Sequence, residues 1–243
     1  MKERIQKILS NCGLGSRRTI EKKIHQKLIK INGQIVSLGQ SFLKNEIRYV
    51  VVDNKKIFLK KNVIKVIIYN KPVGEVCTKK DEKKRNTVFD KLPKLLYSKW
   101  INVGRLDINT SGLLLFTNYG ELAYRLMHPR YMIKREYLVK IFGKISKKKI
   151  LILKNGIKIG SSISRFYEIF SINNQKKNKW FKVSLLQGKN REVRLLWNSI
   201  GIQVNKLIRI SYGSILLPRN LQKGKFIELN SINIKNIFNS VNL

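Results

Sequence analysis

A loop bracketed by glycines runs straight into an unbroken apolar tetrad. Gly104-Arg105-Leu106-Asp107-Ile108-Asn109-Thr110-Ser111-Gly112 is followed at once by Leu113-Leu114-Leu115-Phe116. A short apolar run between turn signals predicts a buried strand. The loop then sets a single carboxylate, Asp107, at the mouth of that strand, with Arg105 two residues before it.

The chain around this element reads as a mixture of strands and helices. Val63 to Tyr69 predicts a fresh strand, and Asn70-Lys71-Pro72-Val73-Gly74 a turn. Residues 78 to 87 form a polar, charged loop. Beyond the tetrad, Asn118 with Glu121 three residues on resembles a capping box, Leu122, Ala123 and Leu126 face inward, and Pro129 ends the helix. Further strands are expected at Tyr137 to Phe142, Phe166 to Ile172, Trp180 to Leu186, Ile208 to Tyr212 and Phe226 to Leu229. A helix from Arg191 to Ile200 stops at Gly201, and Ile232 to Leu243 reads as a tail or terminal helix. The three tryptophans, Trp100, Trp180 and Trp197, are expected in the core.

The first sixty residues have another character. Ile5, Ile8, Leu9 and Cys12 recur at helical spacing up to Gly13. Ser16 caps a second helix with Ile20, Ile24 and Leu28 on one face and Arg17, Arg18, Lys22, Lys23 and Lys27 on the other. Asn32-Gly33 joins Ile29-Lys30-Ile31 to Gln34-Ile35-Val36 as a hairpin, and Tyr49 to Val52 is one strand more. The polar stretch Lys60-Lys61-Asn62 divides residues 1–61 from residues 62–243.

Charge narrows the partner. Against 51 Lys and Arg stand 14 Asp and Glu, a formal net charge of +37. Each cation that neutralises a phosphate releases a counterion, so nucleic acid is the expected partner, although a composition rich in Lys, Ile and Asn would inflate the charge without function. A hydrophobic fraction of 43% supplies a core. The two cysteines, Cys12 and Cys77, and the two histidines, His25 and His128, have no metal-ligand spacing, so no metal is expected. Two distant thiols fit a reducing cytoplasm. Met1 to Gly13 is interrupted by charges and lacks the apolar core of a signal peptide, and no run of eighteen apolar residues predicts a membrane span.

Two further clusters join the Asp107 loop: Lys134-Arg135-Glu136-Tyr137, which brings a phenol to the start of a strand, and Gly188-Lys189-Asn190-Arg191-Glu192-Val193-Arg194, a basic loop entering a helix. Arg191 and Arg194 share a helix face there. In this order, the three clusters resemble the motifs of the pseudouridine synthases, in the branch that acts on bacterial ribosomal RNA. Residues 1 to about 60 resemble the S4 RNA-binding module that precedes many of these enzymes. The resemblance implies an α+β chain: a small N-terminal S4 (α-L) domain, then a catalytic domain with a mixed, mainly antiparallel sheet and a central cleft. It implies that Asp107 is the catalytic aspartate, that Tyr137 stacks on the target base, and that Arg194 pairs with Asp107. It further implies that Arg105 helps displace the target nucleotide and that Leu207 packs beneath the site. Arg191, Arg209, Ser16, Arg17 and Arg18 complete the expected RNA-binding set.

The implied reaction is isomerisation of a uridine in 23S ribosomal RNA or its ribosomal precursor, by a monomer without a cofactor. The chemistry is consistent with that. The N1–C1′ bond breaks, the base turns, and C5 joins the sugar, with no redox step and no group donor. One carboxylate suffices, either attacking the sugar or taking a proton from it. The competing reading is a non-catalytic ribosomal RNA-binding or ribosome-assembly protein with the same fold. Departures from the family pattern favour it: Lys27 stands where S4 modules usually have glycine, and Leu195, Ser211 and Ser214 stand where arginine, arginine and aspartate are usual. A glycosidase would need a second carboxylate, which the motifs do not offer.

Overall fold

The computed structural model describes residues 2–59, 63–143, 145–172 and 178–243. Lys60-Lys61-Asn62 and Lys176-Lys177 lie outside them. The chain divides into two compact units, one of residues 1–64, 93–101 and 118–120, the other of residues 65–92, 102–117 and 121–243.

In the smaller unit two helices, Ile5–Asn11 and Arg17–His25, lie against a sheet. Ser16 caps the second helix, its hydroxyl accepting from the Thr19 N–H at 3.0 Å. Ile5, Ile8, Leu9, Ile20 and Ile24 meet Ile29, Ile31, Val50 and Val52 in one core. Asn32 and Gly33 both take positive φ (49° and 92°), and Ile29–Ile31 pairs with Gln34–Ile35 across them. This is the tight hairpin that the dipeptide predicts. Lys27 sits at φ 56°, in the left-handed region where glycine is favoured.

The larger unit is built on a nine-stranded sheet. Its main path runs Glu168–Ser171, Asn178–Leu185, Arg135–Phe142, Val204–Tyr212, Ser111–Thr117, Val66–Lys71 and Phe226–Glu228. Along that path every pair is antiparallel except the central one, Val204–Tyr212 with Ser111–Thr117. Ser111–Thr117, which contains the apolar tetrad, is buried throughout. Arg135–Phe142 alternates strictly, with Arg135, Tyr137, Val139 and Ile141 buried on one face. The helix Glu192–Ser199 contributes Trp197, whose indole lies 6.0 Å from the Phe166 ring and 5.2 Å from the Phe181 ring. Trp100 is also buried, but Trp180 is only half-buried on the sheet.

Several elements differ from expectation. The helix expected from Asn118 begins at Gly120 and runs to Met127, and the Asn118 amide donates to the Val63 carbonyl at 2.8 Å. Lys147–Asn155 is a helix capped by Ser146 where the sequence suggests only a lysine-rich surface. The hairpin of Ile157–Ile159 with Ser162–Ser164 was also unexpected. The terminal helix is Ser231–Asn239, capped by Asn230. No helix among the described residues is long and apolar enough to cross a membrane.

Candidate active site

The Asp107 loop is held by its backbone. Each carbonyl from Leu106 to Thr110 accepts a hydrogen bond. The Cys77 thiol reaches Leu106 O (3.3 Å), Gly74 N–H reaches Ile108 O (2.9 Å), and Arg194 Nη2 reaches Asn109 O (2.9 Å). The Lys71 ammonium donates to Asp107 O (3.2 Å), Thr110 O (2.9 Å) and Pro72 O (2.9 Å). Lys71 is 0% exposed, and burial pulls its ammonium below the ordinary lysine value. The sequence places Lys71 in a turn, where a lysine reads as surface. Only the carbonyls converging on it from 36 and 39 residues downstream reveal its place.

The Asp107 carboxylate itself makes no hydrogen bond or ion pair among the described residues. It lines an open cleft of about 510 Å³ together with Arg105, Leu106, Ile108 and most of the residues between Val76 and Arg85. Much of the charged loop read from the sequence therefore forms one wall of this cleft. Cys77 lies in the same wall, and burial pushes its thiol up, away from the reactive thiolate.

Arg194 corrects the expected pairing. Its Nη1 donates to Val204 O (3.0 Å) and its Nη2 to Asn109 O, so both ends of the fork are committed to backbone. No ion pair joins it to Asp107. Burial lowers the guanidinium's pKa from its ordinary value, and the charge of Asp107 works against that shift. The residue ties the Asp107 loop to the strand Val204–Tyr212 through these two carbonyls. Arg191 takes φ 52° at the N-terminus of the same helix and is exposed. With Arg194, Asn198 and Gln203 it lines a second cleft, of about 400 Å³.

Tyr137 is 7% exposed, and its strand neighbour is Arg209. The register slips between Glu136 and Tyr137: Glu136 faces Ser211 and Tyr137 faces Arg209, leaving Ile210 as the extra residue. Such bulges re-aim side chains. Leu207, 5% exposed, stands two residues along on the same strand. Arg209 in turn faces Gly112, the residue that closes the Asp107 loop. Arg209 was expected among the RNA-binding residues, but it is 2% exposed. Its Nε donates to Leu113 O at 2.7 Å, and its guanidinium lies 5.1 Å from the Tyr212 ring centre. It is a cation built into the sheet, out of reach of a phosphate. Arg135 is spent in the same way, on the carbonyls of Ile133, Leu186 and Leu126 and on the Tyr212 hydroxyl. Ser16, Arg17 and Arg18 lie in the smaller unit, all exposed.

The chain belongs to the RNA pseudouridylate synthase family, whose model matches residues 65–199. It is 54% identical over 246 residues to ribosomal large subunit pseudouridine synthase B of Buchnera aphidicola subsp. Schizaphis graminum, covering 100% of this chain and 96% of that one. The enzyme of the same name from Yersinia pestis is 45% identical over 232 residues, 94% of this chain and 73% of its own. A crystal structure of a pseudouridylate synthase superposes with a TM-score of 0.66 at 22% identity, over 96% of this chain and 99% of that one, and so shares the fold.

Proposed function

We propose that this chain converts a specific uridine of 23S ribosomal RNA to pseudouridine, with Asp107 as the catalytic carboxylate. The observation that carries the reading is the loop from Leu106 to Thr110: every carbonyl is held, while the Asp107 carboxylate is left uncommitted at a cleft. The relatives named for the large ribosomal subunit supply the substrate class.

The reaction needs little machinery. The target uracil leaves its stack and enters the cleft, as bases do in enzymes that act on them. Arg105, exposed at the cleft, takes part in displacing it. Asp107 either bonds to C1′ as N1–C1′ breaks, and is displaced when C5 bonds to C1′, or takes a proton from the sugar as N1–C1′ breaks and returns it when C5 bonds to C1′. Between the two bond changes the uracil turns; C5 then gives up its proton to solvent and N1 takes one up, so the net change is an isomerisation. Tyr137 provides the aromatic platform over Leu207, and Arg194 positions the loop. Arg191 takes an RNA phosphate beside the site. In the smaller unit, an S4 module over residues 1–61, Ser16, Arg17 and Arg18 hold the RNA backbone, which fixes position without reading sequence. The enzyme works in the cytoplasm as a monomer, on 23S RNA or its precursor particle.

The test is a map of pseudouridines in ribosomal RNA made with and without the protein, and with Asp107→Asn. A site that appears with wild type and is absent with Asp107→Asn, at equal RNA affinity, is expected. Turnover by Asp107→Asn within tenfold of wild type removes Asp107 from its role.

A further inference from the structure

The face of the sheet turned away from Tyr137 is laid out in rows. Across Glu168–Ser171, Asn178–Leu185, Arg135–Phe142 and Val204–Tyr212, the residues Phe170, Lys182, Leu138 and Ile208 stand side by side. Trp180, Lys140 and Lys206 form the next row. Phe170 is 56% exposed, Lys206 is exposed, and the others are half-buried. Trp180, which the sequence assigns to the core, is therefore only half-buried on this face, beside Lys140. Phe170 likewise stands beside Lys182.

The charges on this face have a direction. Glu136 and Glu168 are its carboxylates, and Lys134 and Lys182 pair with them. Lys140 and Lys206 have no acceptor among the described residues. The surplus is cationic and sits next to the rings.

We propose that this face is a second RNA-binding surface, a platform for a single-stranded segment whose bases stack on Phe170 and Trp180 while Lys140 and Lys206 meet its phosphates. This inference rests on the reading of the chain as an RNA enzyme, but uses none of the residues of the Asp107 cleft. Strands lie about 4.8 Å apart, so four of them span roughly 14 Å, enough for a few nucleotides. Aromatic rings interleaved with lysines are the chemistry of single-strand binding: rings accept any base face, and cations follow the backbone. A duplex keeps its bases stacked on each other and could use only the lysines. A protein partner would leave the surplus charge without a counterpart unless it were acidic.

The experiment uses the full chain and a fluorescein-labelled uridylate dodecamer as the probe, with affinity followed from low to high salt. Lys140→Gln/Lys206→Gln should bind about tenfold more weakly at low salt. Its slope of log affinity against log salt should be shallower by about 1.4, since each phosphate contact on a single strand contributes about 0.7. Phe170→Ala should lose about tenfold with the slope unchanged, because stacking releases no counterions. Melting curves matching wild type establish that each variant is folded. Wild-type affinity in either variant overturns the proposal and leaves the face to a protein. Pseudouridine mapping on the same preparations separates the two readings. A wild-type enzyme that is active, with variants that bind normally, sinks only the platform. Variants that bind weakly, with a wild type that forms no pseudouridine, sink only the catalytic assignment.

Discussion

Gly112 and Arg209 face each other across the parallel junction of the sheet with no space for a β-carbon between them. A Cβ on Gly112 would stand 2.8 Å from the Arg209 backbone nitrogen and closer still to its carbonyl oxygen, and Gly112 has φ 104°. Gly112→Ala must therefore push two central strands apart and adopt a strained backbone. A loss of about 3–5 kcal/mol is expected, at the upper end for single substitutions. Thermal melting checks it. A variant that melts with wild type would mean that the two strands are not in contact at this pair.

Arg194 joins Asn109 to Val204 with one planar group. Lysine can reach one carbonyl with similar charge but cannot fork. Arg194→Lys is expected to slow single-turnover pseudouridine formation by roughly 10- to 100-fold, and Arg194→Met by more, because methionine can donate to neither carbonyl. Rates are measured with enzyme saturating over RNA. Full activity in the lysine variant would show that the fork is dispensable.

The paired carboxylates set an acid limit to stability. Hydrogen bonding to Lys134 holds the Glu168 carboxyl below its ordinary value of 4.5. At Glu136 burial pushes upward, but Lys182 and Ser211 outweigh it and the net shift is down. Both folded values lie below the unfolded one, so the unfolded chain binds protons first as pH falls. Their contribution is fully present above pH 4.5 and is lost as pH drops through the depressed folded values. The double variant Glu136→Gln/Glu168→Gln should therefore lose less melting temperature than wild type between about pH 5 and pH 3, by on the order of a few degrees. Parallel curves would remove the network from acid stability.

Lys27 occupies a left-handed position at the end of its helix. Glycine adopts that backbone without a clash, whereas an L side chain costs about 1 kcal/mol there. Lys27→Gly should raise the stability of the smaller unit by about that amount, read by hydrogen exchange at Ile20 and Ile24. Faster exchange would show that the lysine side chain contributes more than its backbone strain removes.

Elements whose pattern is local were legible in the sequence. The tetrad at Leu113, the alternation from Tyr137 to Phe142 and the Asn32-Gly33 turn each carry their period or φ requirement within a few residues. The loop holding Asp107 was readable because glycines and an apolar run bracket it. Cations were the least legible. Lys71, Arg135 and Arg209 look like surface residues, and each is buried because carbonyls distant in the chain converge on it. Lys147–Asn155 was hidden for a related reason, since three leading lysines mask the helix that Ser146 caps.

The lysine held under the Asp107 loop has a consequence for how substrate is received. A flexible loop would have to be ordered each time RNA arrives, and that ordering would subtract from affinity. With Lys71 bonded to Pro72, Asp107 and Thr110, the ordering is completed when the chain folds. The backbone that carries Asp107 is preorganised, so under the proposed function the conformational adjustment on binding falls to the RNA.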